Sequence, residues 1–169
     1  MEGAFSVPNK TVSPRQIEAN SKALDEAFAG RTLINTLFTR HQLLAVSLLP
    51  ALGNVPKRGA IGQVTADEAV LACALERFRL AHGQFPEKLG ALAPDFISKL
   101  PHDVITGDPY KYRRDKDNFV LYSVGWNETD DGGQVAMKGS AVDPTKGDWV
   151  WQSGNAITPD LPLGTAVGH

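Results

Sequence analysis

The sequence predicts an α+β fold, with helices first and a small antiparallel sheet after them. Apolar residues recur at helical spacing as far as Gly83 and Pro86, and beyond Pro101 the spacing shortens to that of strands. The composition agrees with a packed domain. Of 169 residues, 42% are hydrophobic and 21% charged, which is ordinary globular usage and excludes collagen-like, low-complexity and fully disordered chains.

The first third reads as helical. Ser13 is a good N-cap ahead of Pro14 at the first helical position, and Ile17, Leu24 and Phe28 follow at helical spacing. Gly30 interrupts, and a second helix is expected from Thr32 to about Leu49, closed by Pro50 and Gly53. The Gly- and Pro-containing stretch 53–63 reads as an exposed linker. Thr65 and Glu68 have the spacing of a capping box, so a third helix is expected to start there. Its face carries Leu71, Ala74, Leu75, Phe78 and His82, with Phe78 expected between helix and sheet. Gly83 is placed for a left-handed C-terminal cap, Pro86 bars extension, and a short helical turn follows with Leu89 and Leu92 inward.

After Pro101 come short strands at Tyr110–Arg114, Phe119–Val124 and Asp148–Gln152, with Asp115–Asn118 as a turn by composition. The expected organisation is a helical N-terminal arm and linker over 1–63, an α+β domain over 64–154 and a frayed tail over 155–169. The arm lacks the turn chemistry of the sheet, so a chain starting near Ile61 is expected to fold alone.

Charge and cysteine content narrow the function classes. With 17 Lys and Arg against 19 Asp and Glu, no basic excess is present to attract nucleic acid or anionic lipid. The most apolar stretch, Leu33 to Leu52, carries Arg40 and His41, so no membrane span is expected within this chain. Residues 1–20 lack the apolar region of a signal peptide. The single cysteine, Cys73, excludes an internal disulfide and reads as a small buried side chain. His82 lies nine residues on, about 900° around a helix and so on the opposite face, which argues against a thiol–imidazole pair. His102-Asp103 beside Pro101 reads as a turn.

The loop Gly125-Trp126-Asn127-Glu128-Thr129-Asp130-Asp131-Gly132-Gly133 carries the densest chemistry. Ca²⁺ takes six to eight hard oxygens from carboxylates and carbonyls, and glycines let a loop fold back so that carbonyls converge. Asn127, Thr129 and Asp131 match the opening alternation of an EF-hand loop, but its twelfth position is Lys138, where a bidentate Glu is required. A different oxygen-rich site with Asp148 as a distant carboxylate stays open beside a solvated acidic turn, the commoner use of such residues. Asp130 and Asp131 could also serve as paired carboxylates of a hydrolase. Trp126, Trp149 and Trp151, if exposed, could bind a glycan or peptide, against the commoner use of such rings in packing. Lys111, Arg113 and Arg114 read as charge protecting an edge strand.

The order of these elements resembles the soluble domain of the major pseudopilin of type II secretion. The helix ending in Gly83-Gln84-Phe85-Pro86 is similar to that family's helix followed by G-x-[YF]-P, and Leu89 and Leu92 match its short following helix. Pro101-His102-Asp103 and Gly107-Asp108-Pro109-Tyr110-Lys111-Tyr112 resemble its D-P-W-G-x-P-Y-x-Y stretch, with Val104 in place of a proline and one more residue before the glycine. Phe119 to Gly125 resembles the strand that enters its calcium loop, and Gly132-Gly133 and Asp148-Trp149 fall where that loop's glycines and closing Asp lie. The resemblance spans about Ala66 to Trp151.

The resemblance implies a pseudopilin-like fold whose loop binds one Ca²⁺, with Asn127, Asp131 and Asp148 as side-chain ligands and Asp130 as the alternative to Asp131. It implies a non-catalytic structural or assembly role outside the cytoplasm, with other protein subunits or the rest of a longer parent chain as partners. Gly30-Arg31-Thr32-Leu33-Ile34-Asn35 departs from the family's G-F-T-L-x-E cleavage motif at Arg31 and Asn35. The expectation is therefore the C-terminal part of a larger bacterial protein, anchored, if at all, upstream.

Overall fold

A computed structural model describes residues 4–6, 8–29 and 54–152. Two short strands, β1 (Phe5–Ser6) and β2 (Thr11–Val12), pair antiparallel ahead of helix α1 (Pro14–Ala29). The start of α1 is as the sequence predicts: the Ser13 carbonyl accepts the Ile17 N–H at 3.1 Å, and its hydroxyl lies 3.4 Å from the Gln16 N–H. The expected helix over 32–49 and the tail over 155–169 lie outside the described residues.

The long helix α2 runs Val55–His82. It starts well before Thr65, so residues 55–63 of the stretch read as a linker are helix. Pro56 falls in the first turn, where a missing N–H breaks no helical bond, and Gly59 and Gly62 are tolerated inside. Tertiary packing overrides their weak propensity, because Ala60 and Val64 are buried in the main core. Thr65 is consequently no cap. Its hydroxyl donates to the Ile61 carbonyl at 2.9 Å, one turn back. At the other end Gly83 adopts φ +75° and its N–H bonds the Arg79 carbonyl at 2.7 Å, the left-handed stop that the sequence predicts.

A 3₁₀ turn, Leu89–Leu92, follows with both leucines buried. The chain then enters strand β3 (Lys111–Asp115), which pairs with β4 (Asn118–Ser123) in register Asp115↔Asn118 to Lys111↔Tyr122. Between β4 and the last strand lies a separate hairpin, β5 (Val135–Lys138) and β6 (Ala141–Gly147). Strand β7 (Trp149–Gln152) then returns antiparallel to β4, giving the order β3-β4-β7. Helix α2 lies across β4 and β7, and the core between them holds Leu71, Leu75, Phe85, Leu92, Phe119 and Leu121. The fold is thus α+β with small antiparallel sheets. Among the described residues no helix is long and apolar enough to cross a membrane.

Three expectations change on packing. The N-terminal segment, expected as an arm, is in contact with the rest of the fold: the Val12 N–H bonds the Val104 carbonyl at 2.7 Å, Trp126 Nε1 donates to Glu18 at 2.8 Å, and Val12 and Ile17 pack on the main core. A chain starting near Ile61 would lose these contacts and the buried Ala60. Cys73 is exposed, because its neighbours Leu71, Ala72, Ala74 and Leu75 take the core face. Phe78 is half-buried at the edge of the core and stacks on His82 at 4.1 Å, with Phe96, in the segment after the 3₁₀ turn, at 5.2 Å. Phe78→Ala is therefore expected to cost about 1–2 kcal/mol in urea melts, below the usual loss for a fully buried ring. A loss as large as that of a core phenylalanine would place the ring deeper than the fold has it.

Candidate functional site

The loop between β4 and β5 is built on close backbone approaches. Gly125 has φ +71°, and a Cβ there would meet the carbonyl oxygen of Gly147. Gly147 itself has φ +65°, and its Cβ would stand 2.6 Å from the Ala136 nitrogen. Both positions therefore require glycine, for space as well as for backbone conformation. The Asp148 N–H bonds the Gln134 carbonyl at 2.8 Å, so the residue just before β7 is fixed against the end of the loop.

This brings together the side chains that the resemblance names. Asn127 Nδ2 donates to Asp131 Oδ2 at 2.9 Å, and the Asn127 carbonyl side accepts the Thr129 N–H at 3.2 Å. The Asp131 N–H donates to Asp148 Oδ1 at 3.2 Å, and the Gly133 N–H donates to Asp148 Oδ2 at 2.6 Å. Asn127, Asp131 and Asp148 thus form one hydrogen-bonded chain across the loop. Asp130 stands apart from it. Its Oδ1 accepts the Tyr122 hydroxyl and the Gly132 N–H, both at 3.0 Å, and Lys111 Nζ lies 3.6 Å from Oδ2. Glu128, at φ +56°, pairs with Arg15 of α1.

The electrostatics separate Asp130 from Asp148. The Gly132 N–H, helped by the Tyr122 hydroxyl and Lys111, holds Asp130 below the usual carboxylate range. Asp148 is 1% exposed, and burial pushes its carboxyl up, with Asp131 and Asp130 adding repulsion against the pull of its two backbone donors. No ion pair joins Asp148 to a basic side chain among the described residues.

The loop's fit to a metal ion is partial. Both Asp148 oxygens are taken by backbone donors, and among the described residues no group of three or more His, Cys, Asp or Glu is arranged to hold an ion. Asn127, Asp131 and Asp148 supply too few oxygens for Ca²⁺, so loop carbonyls would have to complete its shell.

Neither alternative use of these residues finds its geometry. Asp130 and Asp131 face different partners and do not form a carboxylate pair. Trp126 and Trp149 are buried, at 3% and 9% exposure, and Trp151 is partly buried against the core, so no exposed aromatic pair stands ready for a glycan. Trp126 instead floors a hollow of about 220 Å³ between α1 and the start of α2, where Lys57 Nζ lies 5.0 Å from its ring centroid.

A second polar cluster escaped the sequence reading. Glu68 is 4% exposed, Asp103 2% and Ser123 0%, all between α2 and the sheet. Glu68 falls in the row Val64, Glu68, Leu71, Leu75 on the inner face of α2. Its capping-box spacing with Thr65 masked that position; drawing the helix back to Val55 would have put a carboxylate visibly among core residues. Asp103, read as part of a turn, is in that turn but buried, and its Oδ1 accepts the Ile105 N–H at 2.9 Å.

Comparison with protein-family models, with curated proteins and with solved structures finds no match to this chain.

Proposed function

We propose that this chain is a non-catalytic structural domain of the pseudopilin-like kind, working outside the cytoplasm and assembling with other protein subunits or with the rest of a longer parent chain. The observation that carries the reading is the loop between β4 and β7, pinned at its end by a buried Asp148 beneath a long helix laid on an antiparallel sheet. A long helix, a Gly83-Gln84-Phe85-Pro86 stop, a short 3₁₀ turn, a hairpin and an Asp-closed loop follow one another in the order of the resemblance. The polar side chains of the loop and of Asp148 are spent on holding the loop to itself, to the sheet and to α1, which suits a scaffold better than a reaction centre.

Ca²⁺ is the ion this loop would take. Asp148 is buried beside Asp131 with no cationic side chain paired to it among the described residues, and a divalent ion would remove that repulsion. Ca²⁺ suits a site made mostly of carbonyls better than Mg²⁺, which demands stricter geometry. Thermal melts of metal-stripped chain test this. Millimolar Ca²⁺ should raise the midpoint, Mg²⁺ should do so weakly, and Asp131→Ala should abolish the rise. An unchanged midpoint removes the ion from the proposal. A rise kept in Asp131→Ala and lost in Asp130→Ala would move the loop ligand to Asp130. Turnover of a generic hydrolase panel, lost in Asp131→Ala, would overturn the non-catalytic reading itself.

A further inference from the structure

We propose that Glu68, Asp103 and Ser123 form a buried proton-binding site that locks α2 to the sheet, and that loss of its proton in mildly alkaline solution loosens this junction.

The donors are shared unequally between the two carboxylates. Asp103 accepts the Ile105 N–H at 2.9 Å, and the Ser123 hydroxyl and the Val124 N–H also favour its charged form. Among the described residues the buried Glu68 Oε1 has no partner, and the Ser123 N–H only partly favours its charged form. Asp103 is thus provided for as an anion and Glu68 is not. Two carboxylates in one apolar site cannot both ionise without strong repulsion, so one proton belongs to the pair, and the donor count assigns it to Glu68.

Among the described residues the surroundings offer no counter-charge. Helix α2 brings Asp67 and Glu68, the turn before β3 brings Asp103, Asp108 and Tyr110, and β4 brings Ser123. The Tyr110 hydroxyl is used on Asp67 at 3.1 Å. The 3₁₀ turn contributes buried leucines, and β7 contributes Trp149 and Trp151. No basic side chain is among the groups acting on Glu68. Burial first, and Asp103 second, push the Glu68 carboxyl from 4.5 up to about 8. Since this value is raised in the folded state, the proton's stabilisation is complete below pH 4.5 and is lost as the pH climbs through about 8. Asp103 is also raised by burial and acts in the same direction.

The site reaches the loop through Ser123, whose Oγ accepts the Gly125 N–H at 3.2 Å. Ionising Glu68 therefore strains the helix–sheet contact and the base of the 125–133 loop together.

The test is a series of urea melts of the whole chain from ~pH 6 to ~pH 9. The wild-type midpoint should fall across this range. Glu68→Gln, which keeps the shape and cannot ionise, should flatten the fall and melt later than wild type at the alkaline end. A wild-type midpoint that does not move, or a fall that persists unchanged in Glu68→Gln, overturns the proposal. Should Glu68→Gln fail to fold, carbon-13 NMR titration of the Glu68 carboxyl in the wild-type chain decides the matter. A midpoint above neutrality supports the site, and one in the ordinary carboxylate range overturns it.

Discussion

Phe85→Ala is expected to destabilise the chain by about 3–5 kcal/mol, read as a drop in the urea midpoint at unchanged slope. Phe85 is 1% exposed and meets Phe119 of β4 edge-to-face at 5.0 Å and 72°. It sits just after the Gly83 stop, so one side chain fastens the end of α2 to the middle strand of the sheet. Removing the ring forfeits its burial and leaves a cavity that two rigid elements cannot close. The Phe85 carbonyl also accepts Arg114 Nη1 at 2.9 Å, a bond the substitution leaves in place, so the loss reads the ring itself, its packing together with the Arg79 guanidinium 5.7 Å from its centroid. Phe85→Leu should recover a good part of the stability. A loss under 1 kcal/mol for Phe85→Ala would mean that the turn after α2 is not docked on β4.

Asp148→Ala is expected to cost about 2–4 kcal/mol even in metal-free buffer, because it strands the Asp131 and Gly133 N–H groups that the carboxylate holds. The range is set by two opposed effects. Charge-assisted bonds to backbone donors are strong, while deleting a buried carboxylate relieves its own desolvation and its repulsion from Asp131 and Asp130. The melt should be compared with and without Ca²⁺. If Asp148 acts only through the backbone, the wild type and the variant respond alike to the ion. If it is also a ligand, the gap between them widens when Ca²⁺ is added. A variant as stable as wild type in both buffers would show that the loop is held by its glycines and strands without Asp148.

Much of the architecture was legible from local signals. Gly83 and Pro86 stop α2, Leu89 and Leu92 point inward from the 3₁₀ turn, and Phe119 and Leu121 share the buried face of β4. Each of these follows from a residue's own backbone freedom or from periodicity within one element, which neighbouring residues suffice to set. The hairpin β5–β6 was not legible. Its second strand is largely exposed and contains Pro144, so it shows neither alternation nor strand composition, and it forms because β5 pairs with it.

The candidate loop divides the same way. Its acidic and glycine-rich composition, and the link to Asp148, could be read from sequence order and resemblance. That Asp130 turns to Tyr122 and Lys111 while Asp131 joins Asn127 depends on how the loop folds back on β3 and β4, which no local pattern in the loop sets.

By itself, then, the sequence determined that a long helix precedes the three-stranded sheet, where α2 stops and which residues are available to the loop. The tertiary structure alone decided that α2 begins at Val55, that the N-terminal segment packs on the core, and that Trp126 and Trp149 are buried. It also decided that Glu68 and Asp103, 35 positions apart in the chain, share one buried site. The reason is that burial and like-charge proximity are properties of contacts between elements, and no window of sequence contains both partners of such a contact.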